Sequence, residues 1–301
     1  MLPWEYKDNP TYKDQHIFEI AYTRFKFVYD YLIKLNKRKK LKFLDIGCWP
    51  GQLYFMLKYI FDDNFEYSGL GLGLSDEYLS FFSKLNVENY NIEIDPAFLK
   101  INNIDNSKKN GKNYEDWRIK NCDIVFLLDV IEHLVDPRHC LEQIHKSLNE
   151  DGLLIITTDN ITNIRYIFNM LLSGASPNIP LKNSSYFYIG DWRPHFREYS
   201  FVELRNILYY CGFELVEHNY FDREQGQHYI KKGKMRKKFL IKNVRNFFSY
   251  LLVTFFNLFP HLRSHHFLVF KKFDKKLKNF ENLKTTDMNS WVKFRDNINF
   301  K

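Results

Sequence analysis

Residues 122–158, CDIVFLLDVIEHLVDPRHCLEQIHKSLNEDGLLIITT, decide the fold. An apolar run of strand length, CDIVFLLDV, precedes a helical stretch from about Pro137 to Leu148 that closes on LNEDG, and GLLIITT is a second apolar run. Strand, helix, strand is the repeating unit of a parallel sheet. Upstream the same rhythm recurs. LKFLDIGCWPG (41–51) is a short apolar run broken by Gly and Pro ahead of a helix from about Gln52 to Tyr59, and EYSGLGL, the helical SDEYLSFFSKL and YNIEI follow. Farther out, Ile17, Ile20, Phe25, Val28 and Leu32 stand at helical spacing and predict an amphipathic N-terminal helix. Downstream the alternation stops over 159–198, a length that suits a lid or substrate wall. It resumes with a helix at Ser200–Cys211, strand GFELVEHNYF, a basic aromatic segment and strand HFLVFKK. The expected architecture is an α/β, doubly wound sheet with helices on both faces.

The composition permits this fold and excludes others. With 301 residues, 45% hydrophobic and 27% charged, the chain can bury a core without cross-links and is neither collagen-like nor wholly disordered. Cys48, Cys122, Cys140 and Cys211 lack the spacing of a metal knuckle and read as buried thiols of a reducing cytoplasm. The first ten residues, MLPWEYKDNP, carry no secretion-signal pattern, so the expected location is cytoplasmic. The net charge of +8 is unevenly placed. Residues 231–280 hold fourteen Lys and Arg against Asp274 alone, net +13, which leaves −5 for the rest.

Leu44-Asp45-Ile46-Gly47-Cys48-Trp49-Pro50-Gly51 carries the first chemical signal. Glycines at 47 and 51 let the backbone turn off a strand and approach a ligand, while the next helix offers free N–H groups. Such a loop suits a nucleoside-like cofactor.

Taken together, LDIGCWPG, DIVFLLDVIEHLVDP, LNEDG, LLIITT and HFREYSFVELRNILYYCGFELVE resemble the class I S-adenosylmethionine-dependent methyltransferases, in the expected order over residues 41–221. The resemblance implies a seven-stranded Rossmann-like methyltransferase sheet (41–273) after an N-terminal helical segment (1–40), with a lid (159–198), a basic helical insertion (231–262) and a polar tail (274–301). It also implies S-adenosylmethionine as cofactor. Asp45 and Gly47 would line its methionine part with Cys48, and Gly51 would permit close approach. Asp95, or Glu93 in a shifted register, would stand near the adenine amino group. Asp129 and Val130 would pack substrate against cofactor. The chain departs from the family where the second strand ends, since Gly73 stands in place of the usual ribose-binding acid, with Asp76 and Glu77 as substitutes within reach. Trp49, in place of a glycine, would narrow the entrance.

The string Asp129-Val130-Ile131-Glu132-His133 is similar to the Glu-x-x-Glu-His of small-RNA 3′-end 2′-O-methyltransferases and ubiquinone-pathway O-methyltransferases, with Asp129 for the first Glu. That similarity implies a Mg²⁺, Mn²⁺ or Zn²⁺ site made by Asp129, Glu132, His133 and a later histidine, His195 in RPHFREYS. The alternative is that Glu132 and His133 brace the helix start. Without metal, His195 is the candidate general base, screened by Tyr186, Tyr188 and Trp192. Arg193 and Arg197 either meet an acidic substrate or pair with Asp191 and Glu198.

The segment 231–262 places Leu240, Val244, Phe247, Leu251, Phe255 and Leu258 on one stripe behind a lysine-rich start. Its uncharged stretch, 246–259, is too short to span a bilayer, which takes roughly 20 residues. A basic aromatic helix suits an anionic membrane surface, its own sheet or a dimer face, and phosphates attract the same lysines. The expected activity is O-methylation of a sugar, lipid-linked or other small-molecule acceptor, as in polysaccharide biosynthesis, with peripheral membrane contact through 234–259. RNA 2′-O-methylation and a non-catalytic scaffold are the alternatives.

Overall fold

Apolar runs become the inner strands β1 (Leu41–Ile46), β2 (Phe65–Gly71), β4 (Cys122–Leu128), β5 (Leu148–Asp159) and β7 (His265–Lys272), and the more polar β3 (Glu88–Asn91) and β6 (Phe213–Phe221) are the edges. They form one sheet of order β3-β2-β1-β4-β5-β7-β6 in a computed structural model that describes residues 15–35, 39–71, 74–95, 117, 119–174, 195–222 and 255–273. β1 to β5 pair in parallel, whereas β7 runs antiparallel to both β5 and β6. The sheet is therefore mixed, not wholly parallel. β6 and β7 are consecutive neighbours, and a connection that returns at the same edge reverses the second strand.

Helices α1 (Gln15–Leu32), α2 (Gln52–Phe61) and α3 (Asp76–Lys84) cover one face, and α4 (Pro137–Ser147) and α6 (Phe201–Tyr210) cover the other. Neighbouring strand residues divide between the two cores: Phe43 and Phe126 pack with Val28, Met56 and Phe82, while Leu44 and Val125 pack with Leu141, Ile144 and Leu204. Caps set the helix starts. Asp136 accepts the Arg138 N–H with Pro137 at the first turn of α4, and Ser200 with Glu203 forms a reciprocal capping box on α6.

Several boundaries differ from the sequence expectation. α4 stops at Ser147, and LNEDG opens β5, because buried Leu148 pairs with Cys122 ahead of a register shift. β3 lies two residues upstream of YNIEI and ends at Asn91, since its partner β2 ends at Gly71. The stretch 159–198 is not wholly irregular. It contains α5 (Ile164–Ser173), capped by Asn163 and closed by Gly174 at φ 64°. Gly73, the lid residues Tyr186, Tyr188, Asp191, Trp192 and Arg193, residues 231–254 of the basic segment and the tail lie outside the described residues. Among those described, no helix is long and apolar enough to cross a membrane.

Candidate active site

β1 and β4 are sheet neighbours whose connections depart in opposite directions, and in such sheets ligands bind beyond the carboxyl ends of those strands. The glycine turn stands there. Gly47 (φ 82°) and Gly51 (φ 90°) adopt left-handed backbone, and the Gly47 and Cys48 N–H groups donate to the Leu70 carbonyl at 2.7 and 3.2 Å. A Cβ on Gly47 would lie 2.5 Å from Val130 Cγ2, so the approach of turn to β4 loop requires glycine. Gly51 starts α2 without a side-chain cap, leaving first-turn amides for a ligand. Cys48 is buried, its carbonyl accepts from Tyr78 Oη at 3.1 Å, and burial with nearby Asp45 holds the thiol far above its ordinary pKa. Trp49 is half-exposed beside it.

Asp45, at the end of β1, is buried and accepts the Tyr67 hydroxyl at 2.8 Å. Burial pushes its carboxyl up to about 7, against the pull of Tyr67 and Arg24. Asp95 is fully buried and accepts the Val135 N–H at 2.6 Å, joining the segment after β3 to the turn before α4. Glu93 turns back to accept the Asp95 N–H. Asp76 and Glu77 are exposed in the first turn of α3.

Beyond β4 and β5 the sheet edge gathers acids and imidazoles. Asp129 (φ 52°) is held by Thr157 Oγ1 at 2.6 Å and Arg24 Nη1 at 2.5 Å. Glu132 is buried in a 3₁₀ turn (Ile131–His133), accepts Thr158 Oγ1 at 2.8 Å, and through its carbonyl accepts the Phe196 N–H at 2.7 Å. That bond brings His195 over His133, with ring centroids 4.6 Å apart and edge to face. His195 Nδ1 stands 3.2 Å from Asp159 Oδ2 and 3.3 Å from Glu198 Oε1. Tyr166 Oη donates to Glu198 Oε1 at 2.9 Å, and His265 Nε2 is 2.5 Å from Asp159 Oδ1.

This crowding sets the protonation. Burial alone would lower the His195 pKa, but Glu198, Glu132 and Asp159 outweigh it and push it up to about 9. Burial, then the charges of Asp129 and Asp159, push Glu132 up to about 8. Burial of Asp159 is overcome by His265, which holds its carboxyl below the ordinary range.

Among the described residues two ligand triads share His195: Glu132 with His133, and Asp159 with Glu198, each offering three donor atoms within 4.8 Å. The structure thus brings Glu132, His133 and His195 together, whereas the Asp129 carboxylate joins neither triad, being turned to Arg24 and Thr157. Glu198 does not pair with Arg197, which bonds Glu203 at 2.6 Å instead. Arg24, Asp159, Glu198 and His265 join the site without belonging to any of the sequence motifs. For Asp159 a signal existed, since it ends the strand beside β4 and neighbouring strands end at a common edge.

The Methyltransferase domain family matches residues 20–218 of the chain. Similar solved structures include phosphoethanolamine N-methyltransferase 2 of Haemonchus contortus in complex with S-adenosyl-L-methionine, 14% identical with a TM-score of 0.50, covering 91% of this chain and 60% of that one. A SAM-dependent methyltransferase from Archaeoglobus fulgidus is 18% identical, with a TM-score of 0.45 and coverage of 84% and 92%. The cyclopropane synthase MmaA2 of Mycobacterium tuberculosis is 16% identical, with a TM-score of 0.46 and coverage of 89% and 88%. At these identities the likeness is one of fold. No curated protein matches in sequence.

Proposed function

Because the chain belongs to the S-adenosylmethionine-dependent methyltransferase family, we propose that it methylates a hydroxyl oxygen of a sugar, lipid-linked or other small-molecule acceptor, with His195 taking the hydroxyl proton. The observation that carries this reading is the wedging of His195 Nδ1 between Asp159 and Glu198, and Nε2 is the ring nitrogen we assign to the acceptor hydroxyl.

The residues fit the cofactor. The Gly47 turn is shaped so that a side chain there would strike Val130, Asp45 supplies a buried carboxylate beside it, and the start of α2 supplies free amides. When bound, S-adenosylmethionine supplies a methyl group activated on a positively charged sulfonium. Asp45 and the Gly47–Gly51 turn would hold its methionine end, and Asp95 would help shape the adenine side. A positive ligand beside Asp45 draws out its proton, so cofactor binding and Asp45 ionisation are coupled.

His195 would accept the acceptor's hydroxyl proton, and Asp159 and Glu198 would stabilise the imidazolium that results. At rest His195 already carries a proton, so it works as a base only after losing it, and turnover rises toward pH 9. Holding acceptor and methyl in line contributes on the order of 7–11 kcal/mol of the barrier lowering. A His195→Gln variant that binds S-adenosylhomocysteine normally and turns over at the wild-type rate would overturn the assignment.

The three close donor atoms of Glu132, His133 and His195 favour a second reading, in which a divalent ion held there lowers the acceptor's pKa. Exhaustive chelation decides between the two: activity lost to EDTA and restored by Mg²⁺, Mn²⁺ or Zn²⁺ supports the ion, and unchanged activity eliminates it.

A further inference from the structure

Arg24 of α1 and Gln52, the first residue of α2, each hold a buried polar atom that the fold does not use. Arg24 Nη1 donates to Asp129 Oδ2 at 2.5 Å, but its Nε is buried and finds no hydrogen-bond partner among the described residues. The same is true of Gln52 Oε1, on a side chain only 5% exposed. Native folds pair nearly all such atoms, so two left open at one place point to a group that arrives from outside.

Both atoms border the glycine turn. Gln52 follows Gly51 directly, and Arg24 is fixed to Asp129, whose neighbour Val130 packs on Gly47. Burial raises the Asp45 pKa while Tyr67 and the Arg24 charge oppose the rise, so the guanidinium acts on that carboxyl as well. Chemistry then selects the ligand. With Nη1 on Asp129, the remaining Nε–Nη2 edge is the planar fork that takes a carboxylate with two parallel bonds. Gln52 Oε1 is an acceptor and the Asp129 carboxylate an anion, both suited to an ammonium. An α-amino acid carries both charges on one carbon. In S-adenosylmethionine only the methionine end offers a carboxylate, since adenine and ribose are uncharged.

We propose that Arg24 receives the carboxylate of the cofactor's amino-acid end and Gln52 Oε1 its ammonium, so that helix α1, which no cofactor motif of the sequence includes, completes the site. The inference rests on the S-adenosylmethionine reading and is read out by binding, without activity. The test is calorimetric titration with S-adenosylhomocysteine and with its decarboxylated analogue, which keeps the adenosine, the thioether and the amine. The wild type binds the analogue more weakly by about tenfold or more. In Arg24→Gln combined with Asp129→Asn, which strands no charge, the two ligands bind within about twofold of each other. Arg24→Lys keeps a cation for Asp129 and loses the fork, and it narrows the same difference even if the double variant does not fold. Gln52→Leu weakens both ligands alike, because both carry the amine. Equal binding of the two ligands by the wild type, or a difference that survives in the Arg24 variants, overturns the proposal and leaves the cofactor reading standing. Wild-type affinities in Gln52→Leu overturn the ammonium assignment. A wild type that binds neither ligand overturns the cofactor reading, and the proposal with it.

Discussion

Arg24 of α1 closes on Asp129 beyond β4, Nη1 to Oδ2 at 2.5 Å, with both side chains largely withdrawn from solvent. The N-terminal helix is therefore part of the active-site wall. Phe27 stacks on Phe221 and Phe25, Val28 and Leu32 enter the core, so the same helix that packs on the sheet delivers the guanidinium. Removing one partner of a sheltered pair strands the other's charge. Arg24→Ala should cost about 3 kcal/mol, and Asp129→Asn in the same chain should recover most of it. Thermal unfolding of the single and double variants checks this, and strictly additive losses would show that the pair is not coupled.

The Gly47 turn predicts a backbone effect. Gly47→Ala meets two obstacles, a φ of 82° and a Cβ 2.5 Å from Val130 Cγ2. Urea denaturation should show a loss of about 2 kcal/mol, part of which Val130→Ala returns by removing the collision while the backbone strain stays. A neutral Gly47→Ala would mean that the turn is not held against β4.

Asp45 predicts a pH dependence. Its folded pKa is raised from 3.8 to about 7, so the folded state binds the proton more tightly than the unfolded chain. The associated stability is fully present below pH 3.8 and is lost as pH rises through about 7. Asp45→Asn keeps an acceptor for Tyr67 and does not titrate. Its unfolding free energy should therefore gain on the wild type between pH 4 and 7, by up to about 1.4 kcal/mol per pH unit and visible as a widening difference in melting temperature, and parallel curves would contradict the buried carboxyl.

His195 predicts a kinetic split. His195→Gln should lower kcat by about 10²- to 10⁴-fold while leaving S-adenosylhomocysteine affinity within about twofold. The wild-type rate should climb toward pH 9 and the variant's remain flat. A wild-type profile that levels off near pH 6.5 would mean that Asp159 and Glu198 do not act on the imidazole.

How much of this was readable from sequence follows from where each signal resides. Strand and helix alternation is local, so the seven strands were legible to within a few residues, as were the glycine turn and the Asp129–His133 string. LNEDG reads as the end of a helix because its polar residues mask Leu148, whose place in the sheet depends on Cys122 across the ladder. Arg24 acquires its role from the packing of α1 on the sheet and Asp159 from strand order: the Leu128–Thr157 register puts Asp129 and Asp159 at one edge, 30 residues apart in the chain. His218, which no sequence pattern distinguished, stacks on Phe201 at 4.0 Å and bonds His266 at 3.1 Å. Burial pushes the two imidazoles down to about 4 and 3, which marks them as neutral packing groups.

A Gly47–Gly51 turn and an Asp45 that hold S-adenosylmethionine must also hold its product, so thermal unfolding of the purified chain with S-adenosylhomocysteine reads the site without an acceptor. At 100 times the dissociation constant the ligand should add about 2.7 kcal/mol and raise the midpoint by a few degrees, with the rise abolished in Asp45→Ala. A midpoint that does not move at millimolar ligand, or one that moves equally in the variant, would contradict that assignment.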